Sequence, residues 1–202
     1  MIDFYGDVNS RANSPKVAIM LEECEAEYTR IAFDVYDKEA IDPAFYEISP
    51  AGTVPAIVDH DQSPPLALFE SGAILVYLAE RYGRFLPPDI AARSRTLQWL
   101  FWQSSQLGPA FYALNHLMNR MDADSGAAIE YFRDLGARWL TVLDEQLAYS
   151  DCVAGTYSIA DVAIYPFALA ALPAFEARKF PATERWLAQV GARPAVRRAM
   201  PK

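Results

Sequence analysis

The segment FESGAILVYLAERYG, residues 69–83, sets a carboxylate and a hydroxyl, Glu70 and Ser71, at the mouth of an apolar, helix-forming run. A helix N-terminus leaves its first backbone N–H groups without partners and carries about half a positive charge. A ligand carboxylate can bind there, to the backbone N–H groups and the Ser71 hydroxyl. Glu70 beside it can pair with an ammonium. The two residues together suit the zwitterion of a free α-amino acid moiety. The alternative is plain: Ser71 caps the helix and Glu70 is solvated. A second feature is the Val54-Pro55 step. Proline removes an N–H, and X–Pro bonds are the ones that adopt the cis form, usually in tight turns. Beside a helix mouth, such a turn leaves the Val54 backbone N–H and C=O to pair with a peptide as an added strand would. An ordinary trans proline at a strand start is the alternative.

These residues need a scaffold, and the chain changes character near residue 85. IDFY (2–5) reads as a strand. Ser14-Pro15 then opens a helix, with Ser as N-cap and Pro at the first helical position, and the helix runs to about Cys24. YTRIAFDV (28–35) reads as a strand and residues 43–48 as a short helix. A strand within 49–61 and another at 65–70 are joined by DHDQSPP, a hairpin signal, and the helix of residues 71–83 follows. The order βαβαββα calls for a parallel crossover and then a hairpin. Pro87-Pro88 stops helix and strand alike. The expected organisation is an α/β domain over 1–83, a linker over 84–90 and an all-helical domain over 91–202. In the latter, residues 92–121 form a long helix kinked at Gly108-Pro109, and 125–149 a second. YSIADVAIYPFALAAL (157–172) is apolar all round and should be buried, and PATERWLAQVGARP (181–194) is an amphipathic helix that ends before Pro194.

Composition narrows the function classes. An apolar fraction of 52% in 202 residues indicates a folded core rather than a disordered chain. A formal net charge of −8 argues against nucleic acid as the partner, since phosphate binding needs clustered Lys and Arg. No apolar run is long enough to span a bilayer, and MIDFYGDVNS has no basic-then-apolar leader pattern. The two cysteines, Cys24 and Cys152, make no CxxC or zinc spacing, so neither a disulfide scaffold nor a metal is expected. A reduced, cytoplasmic protein is the expectation.

TVPAIVDHD, LFESGAILVYLAERYG, TLQWLFWQ, LGPAFYALNH and YSIADVAIYPF, in this order, resemble the cytosolic glutathione transferase superfamily. Within it the chain is most similar to the bacterial Nu class of glutathione-dependent disulfide-bond oxidoreductases, over essentially its whole length. The resemblance implies a thioredoxin-like N-terminal domain, an all-helical C-terminal domain and a homodimer. It implies that glutathione is the cosubstrate, with a small disulfide or electrophile as the second substrate and no metal. By the same resemblance Glu70 and Ser71 hold the γ-glutamyl end of glutathione, Val54 pairs with its cysteinyl backbone beside Pro55, and Thr53 reaches toward its glycine end or a second glutathione.

The glutathione sulfur would then lie at the mouth of the first helix, SRANSPKV. Asn13 falls on the Asn of the Nu pattern T-P-N-G-x-K, and Arg11 on its Thr. Asn13 and Ser14 can donate hydrogen bonds to a thiolate, and Arg11 can stabilise one by charge. Ser14 is equally a helix cap. Ser10 is a neighbouring hydroxyl, and Tyr5 is expected to pack. Thr53, Ala40 and Tyr131 stand where the Nu pattern has Lys, Gln and Arg, which weakens the case for tight binding of glutathione disulfide. Lys38 can substitute in reaching a ligand carboxylate. Cys24, at a helix C-terminus where the dipole raises a thiol pKa, is a poor nucleophile. Ser158 and Asp161 form a structural capping box. Tyr112 and His116, one helical turn apart, can line an acceptor pocket. Thiol–disulfide exchange is the leading activity. The alternatives are conjugation of glutathione to aryl electrophiles, cleavage of aryl ethers, binding of glutathione without turnover, and a structural dimerisation module, against which Glu70, Ser71 and Val54-Pro55 argue.

Overall fold

Strand β1 (Ile2–Gly6) runs parallel to β2 (Tyr28–Ala32), and helix α1 (Asn13–Glu23) makes the crossover between them. A short helix, α2 (Phe45–Ile48), precedes the antiparallel hairpin of β3 (Ala56–Asp59) and β4 (Leu66–Phe69), and α3 (Ser71–Tyr82) follows. The sheet order is β2-β1-β3-β4, with β1 antiparallel to β3. This is the expected βαβαββα arrangement, a thioredoxin-like fold. The structure, a computed structural model, describes residues 1–7, 10, 12–34, 42–121, 125–175 and 178–200.

Alternation in β1 turns Ile2 and Phe4 inward, and both are fully buried, as are Val17 and Leu21 of α1, Ile57 of β3 and Ile74, Leu75 and Leu78 of α3. Helix α1 packs on α3. Asp59, fully buried at the end of β3, accepts a hydrogen bond from the Tyr77 hydroxyl and pairs with Arg81, which ties α3 to the sheet.

The chain divides into two compact units: Met1–Leu86 with Ala192–Lys202, and Pro87–Gly191. The second is helical: α4 (Ile90–Trp102), α5 (Gly108–Arg120), α6 (Gly126–Ala148), α7 (Ile159–Ala171) and α8 (Pro181–Gly191). Residues 159–168 of α7 are all buried, as the unbroken apolar pattern predicts. The Ser158–Asp161 capping box forms: Ser158 N–H donates to Asp161 Oδ2 at 3.1 Å, and Ala160 N–H to Ser158 Oγ at 3.3 Å.

Two expectations need correction, and a third is incomplete. Helix α1 begins at Asn13 with Ala12 as its N-cap, so Ser14 is not the cap; its Oγ accepts instead from Asp7 N–H at 3.0 Å. The long helix 92–121 is divided by a π turn at Gln103–Leu107. There Gly108 N–H reaches Gln103 O, and a Cβ on Gly108 would lie 3.0 Å from that oxygen. Pro109 next to it has no N–H to bond the preceding turn, so the wider turn absorbs the break. The helix within 181–194 ends before Pro194, at Gly191, as expected, but the chain does not stay irregular beyond it: Pro194 starts a further helix, α9 (Pro194–Ala199), as proline at a first helical position does. Helix α9 packs on α1 in the first unit. Arg193 donates to both carboxylate oxygens of Glu23, at 2.5 and 2.9 Å, and Arg198 to Glu22 at 2.6 Å.

Candidate functional site

The strand register gathers the predicted loops at one end of the sheet. Tyr5 pairs with Ala56, and Ala56 with Phe69. The chain therefore leaves β1 toward α1, enters β3 from Val54-Pro55, and leaves β4 into Glu70-Ser71, all at the same edge.

At the α3 mouth, Glu70 has φ +70° and ψ 112°, outside the regions that L-residues favour. Its C=O accepts the first helical bond, from Ile74 N–H at 3.0 Å. Its carboxylate is exposed and caps nothing. The N–H groups of the first turn of α3 thus have no intrahelical acceptor and no side-chain cap. Ser71 is buried at the first helical position. Beneath it lies Lys16 of α1, only 3% exposed, whose Nζ donates to Ser71 Oγ at 3.4 Å. Burial pulls the Lys16 ammonium down from its ordinary value to about 7, against the opposing pull of the Glu70 charge.

Beside this mouth, the Val54-Pro55 bond is cis. The turn before it is held by fully buried Ser49, whose Oγ donates to Thr53 O at 2.9 Å and accepts from Thr53 N–H at 3.4 Å. Val54 is half-buried, and its backbone N–H and C=O have no hydrogen-bond partner among the described residues. An extended peptide laid along this turn would find one donor and one acceptor, with a carboxylate receptor at the α3 mouth.

At the α1 mouth, Asn13 is half-buried, and its side-chain amide has no partner among the described residues. Ser14 is fully buried. Ser10 Oγ accepts from Ala12 N–H at 3.4 Å. Arg11 and Lys38, and Ala40 with them, lie outside the described residues. Tyr5 packs on Phe45 with ring centroids 5.3 Å apart, and its phenol is pushed up by burial and by Asp3 and Asp42. Cys24 is buried at the C-cap of α1, and burial first, then Glu23, push its thiol up to about 11 against the pull of Arg84. A thiol in that state is neither ionised nor accessible at neutral pH. Tyr112 and His116 are both exposed on α5 of the second unit, and Tyr131 is exposed on α6. Among the described residues no group of His, Cys, Asp and Glu could hold a metal ion, and no helix is long and apolar enough to cross a membrane.

Lys16 is the site residue that sequence reasoning missed. Its signal was a lone cation inside PKVAIML, where every neighbour from Pro15 to Leu21 is buried.

Residues 12–81 match the family model described as glutathione S-transferase, N-terminal domain. The disulfide-bond oxidoreductase YfcG of Escherichia coli is 39% identical over 207 residues, covering 100% of this chain and 95% of its own length. A glutathione transferase family member from Pseudomonas fluorescens, solved with two glutathione molecules bound, superposes with a TM-score of 0.89 at 34% identity, covering 98% of this chain and 91% of its own. A glutathione transferase from Pseudomonas putida, solved with one glutathione disulfide per subunit, has a TM-score of 0.89 at 33% identity, with coverages of 98% and 90%.

Proposed function

This chain belongs to the glutathione transferase superfamily, and from that premise we propose that it is a glutathione-dependent thiol–disulfide oxidoreductase. The observation that carries the proposal is the open α3 mouth. Ser71 and the first-turn N–H groups there, which have no hydrogen-bond partner among the described residues, suit the α-carboxylate of the γ-glutamyl residue, and the exposed Glu70 carboxylate suits its ammonium. Val54 pairs with the cysteinyl backbone beside the cis-proline turn. The sulfur then falls at the α1 mouth, within reach of the Asn13 amide.

Free glutathione, like free Cys, has a thiol pKa of about 8.5, so the thiol form predominates at neutral pH. A helix N-terminus and an amide donor both favour the thiolate. The bound thiolate attacks one sulfur of a disulfide. A new S–S bond joins glutathione to that sulfur, and the other sulfur leaves as a thiolate that takes up a proton. A second glutathione thiolate resolves the mixed disulfide, giving glutathione disulfide and the second reduced thiol. The protein supplies position and thiolate stabilisation rather than a nucleophile of its own, in keeping with the buried, protonated Cys24. A homodimer in the cytoplasm, where reduced glutathione is abundant, belongs to the same proposal.

Asn13→Ala tests it. Reduction of a small mixed disulfide by glutathione should fall by about a hundredfold, the scale on which one preorganised donor to a developing anion matters. Binding of glutathione, followed by calorimetry, should persist. Conjugation to a chlorinated nitrobenzene without disulfide reduction would overturn the proposal in favour of a transferase.

A further inference from the structure

Lys16 has no part in the chemistry above, yet it lies directly under the residue that meets the ligand carboxylate. A lysine is rarely enclosed this fully, and here it lies between Pro15 and the apolar run of residues 17–21, all buried. Its contact with Ser71 Oγ has a directional consequence. A serine hydroxyl has one hydrogen to give and two lone pairs. An ammonium can only donate, so a charged Lys16 occupies a lone pair and leaves the Ser71 hydrogen to point out of the core, into the α3 mouth. A neutral amine can accept, so it draws the same hydrogen inward and turns the oxygen lone pairs toward the mouth.

We infer that Lys16 is a positioning residue that works through Ser71: as an ammonium it aims the Ser71 hydroxyl hydrogen at the α-carboxylate of the γ-glutamyl group, and as a neutral amine it turns that hydrogen away. This rests on Glu70-Ser71 being the γ-glutamyl site. The ammonium also places a positive charge behind the bound carboxylate, in a buried setting where screening by water is weak.

The charges around Lys16 set the direction of its response to pH. From the α3 mouth, Glu70 favours the ammonium. Asp7, at the end of β1, is bonded through its N–H to Ser14, two residues from Lys16. On α3, Arg81 is engaged with Asp59 and Asp61. On α9, Arg193 and Arg198 are engaged with Glu23 and Glu22 at the opposite end of α1. Burial outweighs Glu70, and the ammonium gives up its proton at about pH 7 in the unliganded protein. A bound carboxylate favours the charged form and so raises that value. By linkage, ligand binding takes up a proton near neutral pH, and affinity falls as pH rises through 7.

S-methylglutathione is the probe, because its blocked sulfur removes the thiol from the titration. Calorimetry from pH 6 to 8.5, in buffers of different ionisation enthalpy, should show proton uptake and an affinity about tenfold weaker at the upper end. Lys16→Met should weaken binding at pH 6 by about tenfold and abolish both the slope and the proton uptake. Lys16→Arg, which keeps its charge throughout, should bind with a flat profile and exceed the wild type at pH 8.5. Wild-type binding that is independent of pH and takes up no proton overturns the inference while leaving the γ-glutamyl site intact; this measurement needs no variant to fold. A slope that survives in Lys16→Met overturns it as well. Failure of the wild type to bind S-methylglutathione at any pH overturns the γ-glutamyl site itself, and the inference with it.

Discussion

At the start of α7, Ser158 and Asp161 close on each other and on the core; at the start of α3, Ser71 meets the buried Lys16 while the Glu70 carboxylate faces water. Asp161 is fully buried and accepts from Val153 N–H and Trp186 Nε1, both at 3.0 Å, and from Ser158 N–H and Oγ, at 3.1 and 3.3 Å. Burial still holds its carboxyl above the usual carboxylate range, with those hydrogen bonds pulling the other way. Glu70 is exposed, caps nothing, and sits at a positive φ. Both are a serine and a carboxylate at a helix mouth. One is closed on itself and builds a core; the other is held open and has a cation behind it. A helix mouth becomes a candidate receptor when its polar groups are left unsatisfied toward water, and the residue types alone do not decide this.

The largest effect that the comparison predicts is structural. Asp161→Ala leaves Val153 N–H, Ser158 N–H and Trp186 Nε1 buried without acceptors, which should destabilise the helical unit by about 3 kcal/mol or more. All four tryptophans, Trp99, Trp102, Trp139 and Trp186, lie in that unit, so urea unfolding followed by fluorescence reads it directly. An unchanged midpoint would show that the closed mouth is dispensable, and the contrast with α3 would lose its meaning.

Glu70→Gln comes next and should have the opposite character. Removing the charge that pairs with an ammonium should weaken glutathione binding by about 2 kcal/mol, roughly thirtyfold, since hydrogen bonds to charged groups are worth about 1.5–3 kcal/mol. The unfolding midpoint should not move, because the side chain is exposed and has no hydrogen-bond partner among the described residues. Unchanged binding would count against the proposal, leaving the ammonium of the γ-glutamyl group without the partner assigned to it.

The difference between the mouths also separates what the sequence reveals from what it does not. Local signals carried the fold: the Ser158–Asp161 box, the turn residues of the hairpin and the apolar run of α7 each specify their own surroundings. Val54-Pro55 and Glu70-Ser71 were legible for the same reason, since each is a short motif at a strand end. Lys16 was not. Helical periodicity assigns a lysine to a wet face, and only the packing of α3 on α1, between residues 55 apart in sequence, encloses it. Helix α9 was missed likewise. Pro194 reads as a stop, whereas its role as a start depends on Arg193 and Arg198 meeting Glu23 and Glu22, about 170 residues away. The role of Ser14 turned on a third contact of this kind, with Asp7 N–H.

The smallest predicted effect tests whether the α3 mouth is held open at a cost. A non-glycine residue at an unfavourable φ costs about 1–3 kcal/mol. Glycine removes that cost, while its greater freedom in the unfolded chain returns about 0.5–1 kcal/mol to the unfolded state. Glu70→Gly should therefore stabilise the first unit by a net of about 1 kcal/mol, read by hydrogen exchange of the β1 and β3 amides, while glutathione affinity falls at least as far as in Glu70→Gln. Gain of stability with loss of binding is the signature of a residue kept for its ligand. A loss of stability would mean that the Glu70 side chain supports the turn after all, and the α3 mouth would then resemble the closed mouth of α7.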